Sequence, residues 1–238
     1  MKERKTALIT GASKGLGFQL AQTLAQRGWR LIINARNARL LLDVQRRLEE
    51  YTEVFAISGD VRDEIHLLQF EEVLKANNFR LDLVVNNAST LGISPLEPLL
   101  SQSVESLHQV FHTNVIAPIS LLQKTTSYLK NDGAVINVSS DAAVEAYETW
   151  GGYSGSKAAL DHMTRILAKE NPQFHWYAFD PGDMRTDLHQ AAFPGEDISD
   201  RPLPEESAIP ALMNLIESLP ESKRYSVESL KELAYENV

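Results

Sequence analysis

The sequence predicts a doubly wound α/β fold with a mostly or fully parallel sheet, as one domain over residues 1–238. Three observations carry this expectation. Short apolar, β-prone runs alternate with helix-like stretches along the chain. The runs are continuously apolar rather than alternating, as strands covered on both faces must be. A glycine-rich turn joins the first run to the first helix, and no internal repeat or low-complexity linker interrupts the pattern.

Each element follows from its residues. Thr6–Thr10 (TALIT) is the first strand, and the helix after the turn carries Leu16, Leu20 and Leu24 at helical spacing. Leu31–Ala35 (LIINA) precedes a helix with Leu41, Val44 and Leu48. Val54–Ile57 (VFAI) leads through Gly59-Asp60 to a helix with Ile65, Leu68 and Val73, and Leu81–Val85 (LDLVV) is the fourth strand. A long helix over about Val104–Leu129 follows, with Pro118 expected to bend it. Ala134–Val138 (AVINV) is the fifth strand, the helix containing Lys157 comes next, and Trp176–Phe179 (WYAF) is the sixth strand. Beyond Pro181 the pattern degrades. Residues 188–204 read as a mobile substrate loop, then a helix near Glu205–Ser218 and a short strand at Arg224–Val227.

Composition narrows the function classes. With 43% hydrophobic and 23% charged residues the chain can bury a substantial core. A net charge of −9 with scattered acids argues against nucleic acid as a partner. Zero cysteines exclude disulfides, thiolate metal sites and a thiol nucleophile, and the 6 His show no paired ligand spacing, so no metal is expected. No apolar run approaches a membrane span, and the first residues lack a signal-peptide core, so a cytoplasmic protein without membrane partners is expected.

In such sheets ligands bind beyond the carboxyl ends of the strands. There the first strand runs into Thr10-Gly11-Ala12-Ser13-Lys14-Gly15-Leu16-Gly17. Gly11 permits the tight turn, Gly15 lets backbone approach a pyrophosphate, and Gly17 lets helix pack on strand, while the helix N-terminus favours an anion. Gly11, Ser13, Lys14, Gly15, Leu16 and Gly17 are therefore candidate cofactor contacts. At the tip of the second strand, where a site for the unphosphorylated ribose carries an acid, the chain reads Asn34-Ala35-Arg36-Asn37. Arg36, with Lys14 nearby, can grip a 2′-phosphate, which makes NADP(H) the expected cofactor.

Tyr153 and Lys157 stand four residues apart, on one face of a helix. An ammonium beside a phenol would lower its pKa toward a usable range. The glycine turn, Asn86-Asn87-Ala88-Ser89, Ser139-Ser140 and Tyr153-x3-Lys157 together resemble the short-chain dehydrogenase/reductase family over about Thr6–Thr186. The resemblance implies a three-layer Rossmann fold and an enzyme that moves a hydride between nicotinamide and a carbonyl or alcohol. By position it implies that Ser140 donates to the substrate carbonyl and Tyr153 is the general acid or base. Lys157 would tune Tyr153 and hold the nicotinamide ribose, and Asn114 would kink its helix and hold a water. It further implies that Asp60, beside Val61, accepts from adenine, that Asn87 lies along the ribose, and that Pro181 and Gly182 open a cofactor-binding turn in which the Met184 backbone and the Thr186 side chain face the carboxamide.

Two departures stand out: Ser89 occupies a usual glycine position, and the glycine-rich final strand of many relatives is missing. The resemblance implies a homo-oligomer, a homodimer through the long helix and the helix bearing Tyr153, with a homotetramer as the alternative. Residues 86–92, Trp150 and Met184–Leu188 are locally similar to sepiapterin reductase and related carbonyl reductases. That likeness implies a pocket of Leu91, Trp150, Leu188 and Phe193 for a ring-bearing carbonyl. A dedicated pterin reductase is one alternative, and a non-catalytic NADP-sensing or scaffold protein is another.

Overall fold

The computed structural model describes residues 4–236. Seven strands, β1 (Thr6–Ile9), β2 (Arg30–Ala35), β3 (Val54–Ser58), β4 (Leu81–Asn86), β5 (Leu129–Val138), β6 (His175–Asp180) and β7 (Arg224–Ser226), form one sheet in the order β3-β2-β1-β4-β5-β6-β7. Every adjacent pair is parallel. The expected doubly wound Rossmann architecture is present, and its sheet is parallel throughout.

The continuous apolar runs have a direct cause. Alternate residues of each strand feed two different cores. Ala7, Ile9, Ile33 and Val85 pack with α1 (Gly15–Gln26), α2 (Ala38–Leu48) and α8 (Ala208–Ser218) on one face. Leu8, Ile32, Val84 and Trp176 pack on the other with α3 (Glu64–Ala76) and α5 (Ala117–Thr125). Among the described residues no helix is long and apolar enough to cross a membrane.

The long helix after β4 is built differently from the simple bend expected of Pro118. It runs as α4 (Val104–Phe111), a π-helical turn over His112–Ile116, and then α5 with Pro118 in its first turn. Pro118 has no N–H to offer the carbonyl of Asn114 four residues back, and widening the preceding turn avoids the clash. Asn114 therefore lies in the irregular turn, where the expected local distortion is found.

The segment 188–204 differs from the mobile loop expected of it. It is tied down rather than loose, beginning with helix α7 (Asp187–Ala192) capped by Thr186. Ser94 donates to the Ala191 carbonyl, Arg185 N–H donates to the Pro202 carbonyl, and Arg201 pairs with Asp183. Ile198 is buried. The last strand ends at Ser226, and Val227 opens helix α9 (Val227–Glu236).

Candidate active site

The carboxyl ends of β1, β2, β4, β5 and β6 open onto one cleft of about 980 Å³. The chain reverses direction across the sheet between β1 and β4, the usual ligand position in such folds. One end of the cleft is lined by Gly11, Ser13, Lys14, Gly15 and Leu16. Gly11 and Gly15 have φ of 66° and 56°, a region that disfavours side chains, so glycine is required for this turn. Gly17 is not in the wall. Its Cβ would stand 2.5 Å from both the Gly11 carbonyl and the Asn87 amide, so its work is in packing rather than in ligand contact.

Asn87 holds the turn shut. Its side-chain amide donates to the carbonyls of Thr10 and Gly11 at 2.9 and 3.1 Å, while its other side lines the cleft. At the β2 tip Arg36 is exposed in the wall and makes no ion pair among the described residues. Lys14 does not lie free beside it. Its Nζ donates to Asp187 on α7 at 2.6 Å, an exposed pair worth at most about 1 kcal/mol. Asp60 and Val61 line the same region, but the Asp60 carboxylate is held by Arg62 through Nε and Nη2. Those bonds keep Asp60 below the usual carboxylate range.

At the opposite end Ser140, Tyr153 and Lys157 meet. Ser140 follows β5, and Tyr153 and Lys157 lie on the inner face of α6 (Gly151–Glu170). Lys157 is 2% exposed and donates to the Val138 carbonyl at 2.7 Å. Burial pulls its pKa down to about 8, opposed by the charge of Asp161 one turn along α6. Burial also raises the Tyr153 phenol above its ordinary value, and the opposing influences are the Ser140 and Ser89 hydroxyls. The expectation that Lys157 brings Tyr153 down is not met in this structure. The ammonium sits 5.6 Å from the phenol ring centre, and burial dominates both groups.

Asn114 is buried behind the wall, not in it. Its side chain accepts from Ser89 Oγ and the Thr90 N–H and donates to the Thr90 carbonyl and Ser156 Oγ, all at 2.9–3.1 Å. Ser89 is not among the residues with positive φ, so its backbone is unstrained and its hydroxyl has a use. Pro181, Gly182, Met184 and Thr186 line the wall as expected, with Gly182 at φ 66°.

The apolar pocket residues Leu91, Trp150 and Leu188 line the cleft, and Phe193 packs behind Trp150 with ring centres 5.9 Å apart. The sequence reading missed Asp141, which touches the centre. Its carboxylate accepts from Ser140 Oγ and from the Tyr147 hydroxyl, each at 2.8 Å. Its position directly after Ser140 was the available signal. Among the described residues no group of three or more His, Cys, Asp or Glu could hold a metal ion.

A model of the short chain dehydrogenase family matches residues 5–197. The chain belongs to the short-chain dehydrogenase family. It is 36% identical over 173 residues to a rhamnolipid-biosynthesis 3-oxoacyl-(acyl-carrier-protein) reductase of Pseudomonas aeruginosa, covering 70% of this chain and 66% of that protein. It is 32% identical over 194 residues to an (S)-acetoin-forming diacetyl reductase of Staphylococcus epidermidis, covering 77% of this chain and 73% of that protein. A short chain dehydrogenase from Escherichia coli CFT073, solved in complex with NADPH, superposes with a TM-score of 0.85 at 27% identity, covering 94% of this chain and 96% of that one. Membership of this family makes the protein an oxidoreductase with a small-molecule substrate.

Proposed function

We propose that the protein is an NADP(H)-dependent carbonyl reductase or alcohol dehydrogenase working through Ser140, Tyr153, Lys157 and Asn114. The observation that carries this reading is the convergence of Ser140, Tyr153 and Lys157 at one end of a cleft whose other end is the glycine turn. The residues fit a dinucleotide: two positive-φ glycines in the turn leading into α1, an open cleft, and Arg36 exposed at the β2 tip with no ion pair among the described residues. The NADPH bound by the Escherichia coli relative supports the same cofactor. When bound, nicotinamide supplies or accepts the hydride.

The chain's own residues do the rest. Ser140 Oγ turns from Asp141 to donate to the substrate carbonyl oxygen, stabilising the negative charge that develops there. Tyr153 Oη gives its proton to that oxygen, and its burial keeps the phenol protonated until the oxygen needs it. Lys157 places a cation behind the phenolate that results, which favours the transfer. Asn114 fixes Ser89, whose hydroxyl acts on the phenol, and Ser156, whose hydroxyl donates to the Tyr153 backbone carbonyl, and Trp150, packed edge-on to Tyr153 at 5.8 Å, excludes water. Exposed Val104 and Phe111 on α4 and Ile166 on α6 fit a homodimer through these helices.

The test is a panel of ketones, diketones and aldehydes with NADPH or NADH, followed by absorbance at the nicotinamide band. Turnover of at least one carbonyl with a preference for NADPH is the expected outcome. Binding and turnover with NADH alone would overturn the cofactor assignment, and binding without turnover of any carbonyl would favour a sensor.

A further inference from the structure

Arg224 opens β7, beyond the residues 5–197 that the family model matches. Its Nε donates to Asp161 Oδ2 at 3.0 Å, and its Nη2 donates to Asp180 Oδ2 and to the Ser140 backbone carbonyl, each at 2.9 Å. Those three acceptors sit on three separate elements of the candidate active site. Ser140 ends β5. Asp161 lies one turn beyond Lys157 on α6. Asp180 ends β6, and its other oxygen accepts from the Gly182 N–H at 3.0 Å in the turn that lines the cleft.

We propose that Arg224 is a positioning residue, which locks the hydroxyl-bearing Ser140, the helix carrying Tyr153 and Lys157, and the Pro181–Thr186 turn into one rigid unit. The inference rests on the function proposed above. Arginine suits this place because its planar fork meets several acceptors at fixed angles, which a lysine ammonium cannot reproduce. Asp161 and Asp180 are 8% and 6% exposed, and such carboxylates persist as charges only beside a cation. Burial raises both, and the Arg224 guanidinium opposes it. Packing alone would be served by apolar residues of similar size, as buried ion pairs often are. What apolar residues could not do is hold the Ser140 carbonyl.

The same cluster reaches Lys157. The groups facing Lys157 are Asp161 and Tyr153 from α6 and the Val138 carbonyl from β5. Around Arg224 stand Asp161, Asp180 and the Ser140 carbonyl. Asp141 acts on both Tyr153 and Asp180, and the Glu228 carboxylate of α9 approaches Gly182.

The test compares the wild type with Arg224→Ala and Arg224→Lys on one carbonyl that the wild type reduces, together with NADPH affinity by fluorescence. Arg224→Ala is expected to lose about tenfold or more in kcat with KM for the carbonyl changed less than about threefold. Millimolar methylguanidinium should restore part of that loss while equal sodium chloride does not. Should Arg224→Ala fail to fold, Arg224→Lys carries the test, expected folded but slowed, with the lost Ser140 contact unreplaced. A folded Arg224 variant with wild-type kcat overturns the inference. If the wild type binds NADPH yet reduces no carbonyl, the proposed reaction falls and the affinities decide this point separately. Weakening by about fivefold or more in Arg224→Ala then supports the positioning role, and an unchanged affinity refutes it. A wild type that binds no NADPH removes both.

Discussion

Tyr153 and Lys157 share a helix face and a buried environment, and the second fact changes what the first one means. A phenol and an ammonium taken out of water are both pushed toward their neutral forms. Lys157 falls to about 8 while Tyr153 rises. The spacing of the pair was legible in the sequence, as was Ser140. The depth of burial was not, because it depends on α6 packing against the end of β5. Two predictions belong here. Tyr153→Phe should lose about 10²–10⁴ in turnover while keeping NADPH affinity, as checked by steady-state kinetics and fluorescence titration. Carbonyl reduction should decline as pH rises through about 8, where Lys157 gives up its charge. The same shift has a sign for stability. Between about 8 and the ordinary value of 10.5 the unfolded chain holds a proton that the folded one has lost, so this group's contribution to stability increases with pH. In Lys157→Met that slope is absent, which melting curves from pH 7 to 10 would show.

Among the elements, the strands were the easiest to read, since each is an apolar run feeding two cores. The harder cases came from contacts distant in sequence. Gly17 looked like a cofactor contact, but the obstacle it avoids is Asn87, seventy residues away in the chain and bonded across the turn. Gly17→Ala should therefore destabilise the protein by about 1–3 kcal/mol, measured as a lower urea midpoint. Residues 188–204 read as loose because Pro and Gly punctuate them, yet Ser94 and Asp183 anchor them from other segments. Ser89 and Thr90 bond to Asn114, a contact inside the protein that carries no information about a pterin.

At the scale of the whole molecule, the cofactor choice turns on the β2 tip and the oligomer on the exposed face of α4. The β2 tip was legible from Ala35-Arg36, but the pairing of Lys14 with Asp187 was not, since α7 folds back over the glycine turn. Arg36→Glu should shift preference from NADPH toward NADH by about tenfold or more in kcat/KM, because a carboxylate there repels a 2′-phosphate and accepts from a ribose hydroxyl. Val104→Glu, on a helix position 67% exposed, should convert the proposed dimer to monomer in analytical ultracentrifugation. The central claim is that hydride passes between nicotinamide and a carbonyl carbon inside this cleft. The direct measurement uses NADPH deuterated at both C4 positions with a carbonyl found in the panel, and reads the alcohol by mass spectrometry. One deuterium on the carbinol carbon, absent with Tyr153→Phe, is the predicted result; an alcohol without deuterium, or full labelling by Tyr153→Phe at the wild-type rate, would contradict the account.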